Sequence, residues 1–288
     1  MRLSHEGFTD GNRIAPYVIL PRVIFLAAFA ATFLLLWLLF FAIGPGLEKL
    51  LARAAHWTAK FRYRDYLPVF IVLAAGVVAT AFAGDAFMDI AERVQAESPN
   101  LQLIDARTYE WARFTRTAGS TAFFTTLTII GTPVGLAILV AIASALLAWK
   151  KRWRWAAYLI VTTSVGGLID LLLKSFFERA RPELAEALRS AHGYSFPSGH
   201  AMGSTVCFGA LAYLALRILP SWRQQSAALA FACSMILAIS ASRIYLAVHW
   251  VSDVGAGIAA GLIWVVSATV AYETMRRIRM VRALRDRR

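Results

Sequence analysis

Charge is scarce in this chain. Only 16% of its 288 residues are Asp, Glu, Lys or Arg, while 59% are hydrophobic. That balance excludes an ordinary soluble domain and points to the membrane class. Cysteine is scarcer still. The two present, Cys207 and Cys233, sit inside apolar blocks without metal-ligand spacing. A disulfide framework is therefore not implied, and both read as small packing residues. Strand-like alternation, low-complexity segments and internal repeats are also missing. No basic stripe interleaved with aromatics appears on a polar domain, which excludes nucleic acid as a partner.

What is present is long apolar blocks. Seven reach spanning length: Val18–Ile43, Tyr66–Phe87, Ala118–Trp149, Trp155–Phe177, Ser198–Leu219, Ser226–Val248 and Ser252–Tyr272. Hydrocarbon offers the backbone no hydrogen-bond partners, so each block is expected to be a helix. The fold class is thus all-α, a multi-pass membrane helical bundle. The first block is too long for a signal-peptide core and no clean small-residue cleavage pattern follows it, so a retained span is expected. Gly131 and Pro133 inside the third block are positions for a kink.

The formal net charge of +13, from 30 Lys+Arg against 17 Asp+Glu, is explained mostly by topology. Basic residues concentrate in Lys49–Arg64, Lys150–Arg154 and Arg276–Arg288, which are expected to be cytoplasmic. The Asp85–Thr117 segment carries six acids against four bases and is expected outside. These assignments alternate, and they place the Glu178–Pro197 loop and the Ser242–Asp253 turn on the outer face. The weakly basic Met1–Arg22 tail then lies outside. Alternatively the first helix is peripheral and Pro45–Tyr63 an interfacial amphipathic segment. The expected organisation is an N-terminal helix with a basic linker over 1–65, a core over 66–273 and a basic cytoplasmic tail over 274–288.

Three polar clusters remain, all on the expected outer face. They are Lys174 with Arg181-Pro182, then Pro197-Ser198-Gly199-His200, then Ser242-Arg243 with His249 and Asp253. Taken singly, Lys174 and Arg243 are interfacial anchors whose heads snorkel, Ser198 is a plain helix cap, and a lone histidine is structural. Taken together, the cations stand where the positive-inside bias disfavours them, beside two histidines and an aspartate. Lys174, Arg181 and Arg243 suit phosphate oxygens. Ser198 and Gly199 open a helix whose amides and dipole favour an anion. His249 and Asp253 share a face if the helix there is continuous, and the carboxylate would fix the ring tautomer. One histidine, His249, would act neutral as nucleophile and the other, His200, protonated as acid, which gives a bell-shaped pH profile. His200, His249 and Asp253 could also form a metal set, but three neighbouring cations would repel a divalent ion. No metal or other cofactor is expected. Asp170, four residues before Lys174 on one helix face, is expected to pair with it.

The ordered pattern Lys174-x6-Arg181-Pro182, Pro197-Ser198-Gly199-His200 and Ser242-Arg243-x5-His249-x3-Asp253 resembles the type-2 phosphatidic acid phosphatase family, whose superfamily includes the vanadium haloperoxidases. The resemblance covers about Tyr66–Tyr272, and the fixed motif positions match without departure. It implies a six-helix core with one added N-terminal helix. It implies phosphate binding by Lys174, Arg181, Ser198, Gly199 and Arg243, a phosphohistidine on His249 oriented by Asp253, and leaving-group protonation by His200 without divalent metal. The implied substrate is a lipid phosphate or diphosphate reached from the bilayer: phosphatidic acid, phosphatidylglycerol phosphate, an isoprenyl diphosphate or a lipid A phosphate. A phosphotransferase using the same phosphohistidine, a non-catalytic lipid transporter and a haloperoxidase are the other readings. Tyr194, Phe196, Tyr245 and Trp250 are expected to form an aromatic belt, and Glu183–Ser190 a short lidding helix.

Overall fold

The computed structural model describes residues 16–57, 67–182 and 193–286. Among these residues the regular structure is helical: α1 (Pro16–Trp57), α2 (Leu67–Gln95), α3 (Pro99–Phe114), α4 (Ala118–Ile130), α5 (Pro133–Trp149), α6 (Trp153–Phe177), α7 (Gly199–Ile218), α8 (Trp222–Tyr245) and α9 (Val251–Arg285). Six of them are long and apolar enough to cross a membrane, and the bent α4–α5 pair makes a seventh if counted as one span. Large apolar side chains face outward on several of them, Leu35 68%, Phe82 75% and Leu171 62% exposed. On helices of spanning length such a surface suits a lipid environment. The chain is a multi-pass membrane protein.

Half of the apolar window of α7 is buried, against 6% for α1. α7 is therefore the central helix, packed against α6, α8 and α9, while α1 lies peripherally along α8 and α4. The α7–α9 seam is unusually close. A Cβ on Gly257 would lie 2.6 Å from Ser198 O, and one on Gly261 2.7 Å from Thr205 Cβ. Small residues one turn apart let the two backbones approach, as at many membrane helix interfaces.

The third apolar block is not one helix. α4 and α5 meet at 52°. Gly131 follows α4, and Thr132 then caps α5 by accepting a bond from Gly135 N at 3.0 Å. Pro133 at the first position of α5 has no N–H to lose there. The expected kink is thus a full break with a new helix start. The Asp85–Thr117 segment, read only for its charge, holds the end of α2 and all of α3. α1 runs through Pro45 to Trp57, so up to that point Pro45–Tyr63 is no separate interfacial segment. Glu183–Ser190 lies outside the described residues.

Candidate active site

The three motif clusters meet where α6 ends, α7 begins, and the α8–α9 turn crosses between them. Lys174, in the last turn of α6, donates to Asp170 Oδ1 and to Pro197 O, each at 2.6 Å. The expected Asp170–Lys174 pair forms, with both side chains largely shielded. It lies against Gly199, where a Cβ would approach Asp170 Oδ2 to 2.7 Å and Lys174 Nζ to 3.1 Å. Glycine at this position lets the ion pair sit directly on the start of α7.

Ser198 occupies the N-cap position of α7 but makes no capping bond. Its backbone N–H donates to Asp253 O at 2.9 Å, tying α7 to the first turn of α9. Its hydroxyl is buried with no partner among the described residues. The reading of Ser198 as a plain cap, the one it has when taken singly, is therefore not met. The amides of the first turn of α7 have no intrahelical acceptor, and they carry the positive end of the dipole. His200, half-buried, stands in that turn with its Cδ2 side against the Gly131 break, and its buried Nε2 has no partner among the described residues.

His249 and Asp253 are not on one continuous helix. α8 stops at Tyr245 and α9 starts at Val251, with Ala247 at φ 56° in the turn. They come together because Asp253 sits in the first turn of α9 and His249 just before it. Asp253 Oδ2 accepts from Trp250 N at 2.9 Å and lies 3.4 Å from His249 Nδ1. Ser195 Oγ donates to the same oxygen. On the other side of the ring, Arg181 Nη1 lies 3.1 Å from His249 Nε2. Arginine has only donors, so Nε2 is the acceptor and the proton of the neutral ring belongs on Nδ1, toward Asp253. Burial pulls the His249 imidazole down to about 4, ahead of the opposing hydrogen bond and charge of Asp253.

Arg181 is held by backbone carbonyls: Nε on Gly193 O at 2.9 Å, Nη2 on Tyr194 O at 3.1 Å and Nη1 on Val248 O at 2.8 Å. Arg243, in the last turn of α8 and buried, donates to Thr128 Oγ1 on α4 at 2.7 Å. Contacts thus chain Lys174, Pro197, Ser198, Asp253, His249 and Arg181 together.

Sequence reasoning missed the network behind Asp253. Arg179 Nη1 donates to Asp253 Oδ1 and Ser252 Oγ, each at 2.7 Å, and Nη2 to Asp105 Oδ2 at 2.8 Å. Asp105, on α3 and 2% exposed, also accepts from Ser252 N at 3.0 Å and Ser252 Oγ at 2.6 Å. Arg179 lies in the unspecified spacer of the first motif and Asp105 in a segment read as a charged loop, so no spacing rule singled out either. The aromatic expectation also divides. Tyr194 is exposed, donating to Glu178 Oε1 at 2.9 Å, and Trp250 is half-exposed beneath Arg179. Phe196 and Tyr245 are core residues instead, 0% and 3% exposed. Phe196 packs edge-to-face with Phe177, their centroids 4.7 Å apart. The Tyr245 hydroxyl bonds Ser120 Oγ and accepts from Thr117 N at 3.2 Å.

Residues 155–277 match the profile of the PAP2 superfamily, a range that contains every motif residue from Lys174 to Asp253. The chain is 30% identical over 129 residues to phosphatidylglycerophosphatase B of Bacillus subtilis (strain 168), a match covering 44% of this chain and 63% of that relative. The match thus spans a little under two thirds of the relative's length. The crystal structure of a transmembrane PAP2 type phosphatidylglycerolphosphate phosphatase from Bacillus subtilis superposes with a TM-score of 0.62 at 25% identity, covering 66% of this chain and 94% of that one.

Proposed function

Because residues 155–277 match the PAP2 superfamily, we propose that this chain is one of its members and a membrane enzyme that hydrolyses a lipid phosphate or diphosphate through a phosphohistidine on His249. The observation that carries the reading is the two-sided setting of His249. Its Nδ1 faces the anchored carboxylate of Asp253 at 3.4 Å, and its Nε2 lone pair faces the cationic Arg181 at 3.1 Å. A phosphoryl group drawn in by Arg181, Lys174, Arg243 and the Ser198–Gly199 helix start would meet that lone pair directly.

In the first step Nε2 forms the N–P bond, the P–O bond to the lipid breaks, and His200 Nε2 gives its proton to the departing oxygen. In the second step water attacks phosphorus, His200 takes a proton from it, and inorganic phosphate leaves. Asp253 holds the tautomer that makes Nε2 the attacking atom. The named activities of the relatives support a glycerophospholipid phosphate such as phosphatidylglycerol phosphate or phosphatidic acid. Isoprenyl diphosphates and lipid A phosphates present the same group. Residues 66–273 form the catalytic core of this reading, with 1–65 an added helix and linker and 274–288 the tail. Loop charge supports a site on the extracytoplasmic face with the C-terminus in the cytoplasm.

The test is phosphate release by purified protein across a panel of lipid phosphates, with and without EDTA. Activity that survives EDTA and disappears in His249→Ala supports the reading. Activity abolished by EDTA, or retained by a folded His249→Ala, refutes it. Rapid acid-free quenching of His200→Ala with a labelled aryl phosphate, whose departure needs no proton, should trap label on the protein, because the second step lacks its base.

A further inference from the structure

A second lipid-shaped site lies at the other end of the same helices. A groove of about 420 Å³ opens between the first half of α6 and the second half of α9. From Tyr158 to Lys174 is about 24 Å along α6 at 1.5 Å per residue, so this groove is separate from the histidine cluster.

Its walls are Tyr158, Val161 and Trp264, and its mouth carries Arg154, Arg276 and Arg279. The polar atoms of Tyr158 and Trp264 are already used. The Tyr158 hydroxyl pairs with Thr269 Oγ1 at 2.7 Å, and Trp264 Nε1 donates to Thr162 O at 2.7 Å. What these two leave to the groove is ring surface, beside the hydrocarbon of Ala157, Val161, Ala268 and Ala271. The arginines differ from one another. Arg276 is committed to Glu273 by two bonds of 2.8 Å. Arg154 and Arg279 are exposed, and neither has an acidic partner among the described residues. Nearby Trp149 and Trp153 are 78% and 66% exposed, as expected where a helix turn meets the headgroup layer.

We propose that this groove binds an anionic phospholipid, its phosphate between Arg154 and Arg279 and an acyl chain against Tyr158, Val161 and Trp264. Charge complementarity argues for this occupant. Two uncompensated guanidiniums at the mouth suit a phosphate diester, and satisfied apolar walls suit a hydrocarbon chain rather than a polar ligand. Basic pockets between spanning helices at the positively flanked face bind anionic headgroups by the same physics.

The test is binding of dioleoylphosphatidylglycerol and dioleoylphosphatidylcholine to the purified full chain in detergent, followed by native mass spectrometry. Expected is a preference for the anionic lipid that falls about tenfold or more in Arg154→Ala/Arg279→Ala, since each lost charged hydrogen bond is worth about a factor of ten. Lys150→Ala/Lys151→Ala removes the same charge outside the groove and should keep the preference. Val161→Trp keeps every charge, fills the groove, and should lose it. Lipid phosphate hydrolysis by all three variants is the folding control. Equal binding of the two lipids by wild type, an unaltered Arg154/Arg279 variant, or a lysine variant that loses as much as the arginine variant would each overturn the site.

Discussion

Arg179 offers the most searching perturbation, because nothing in the motif pattern requires it. Its guanidinium joins Asp105 at 2.8 Å to Asp253 and Ser252 at 2.7 Å, and the two acids are 2% and 0% exposed. Arg179→Met removes the cation and leaves two buried carboxylates facing each other through an apolar side chain. Breaking a buried pair from one side costs about 3–5 kcal/mol, so a large fall in thermal stability in detergent is expected. Arg179→Lys keeps the charge but gives up the planar fork that reaches both acids. One lost charged hydrogen bond costs about 1.5–3 kcal/mol, a smaller fall. Activity should separate the two effects. Asp253 would remain beside His249 in the lysine variant but with one oxygen less firmly held. If that loss of about 1.5–3 kcal/mol is felt in the transition state, activity falls about 10–100-fold, seen in kcat with little change in KM. The decisive comparison is kcat for Arg179→Lys against Asp105→Asn and the double variant. If the three residues act through Asp253, the effects are less than additive. A lysine variant with lowered stability and wild-type kcat would show that the network only holds α3 to the bundle, and the argument would fail.

Three further outcomes follow from the geometry. With the imidazole of His249 drawn down to about 4 by burial, the nucleophile stays neutral until pH falls through that value. The acid limb of kcat/KM should therefore lie near 4, and a limb near the ordinary 6.5 would refute the burial argument. The same shift has a stability sign: between 6.5 and 4 the unfolded chain binds the proton and the folded one does not, so stability falls as pH drops through that window. Lys174→Met removes two bonds of 2.6 Å and strands Asp170. Adding Asp170→Asn should restore thermal stability without restoring kcat/KM, and recovery of both would reduce Lys174 to a structural anchor. Gly257→Val would force carbon toward Ser198 O, 2.6 Å from an added Cβ. Overpacking of this kind costs about 1–3 kcal/mol and displaces the start of α7. A lower Tm with reduced kcat is expected, and unchanged kcat would mean the helix start does not position the chemistry.

Much of the architecture was legible because membrane insertion depends on composition over a short window. An apolar stretch long enough to span, with charges at its ends, must be helical wherever it lies in the chain. The Asp170–Lys174 pair was legible for a related reason: both residues are on α6, and helical geometry alone puts positions four apart side by side. The break in the third block was legible only as a kink, since Gly131 and Pro133 mark a weak point without saying whether Thr132 will start a new helix.

What tertiary structure alone decided is which distant groups meet once those helices pack. His249 and Asp253 approach each other across a turn and a helix start, a geometry set by where α8 ends rather than by their spacing. Phe196 and Tyr245 leave the expected belt for the core because α2, α4 and α6 supply their partners. The bridge from Asp105 through Arg179 to Asp253 joins residues 74 positions apart in each step, and no periodicity relates them. A local rule repeats along one helix and can be read from the chain. A buried charge finds its partner only where packing has excluded water, and that is a property of the assembled bundle.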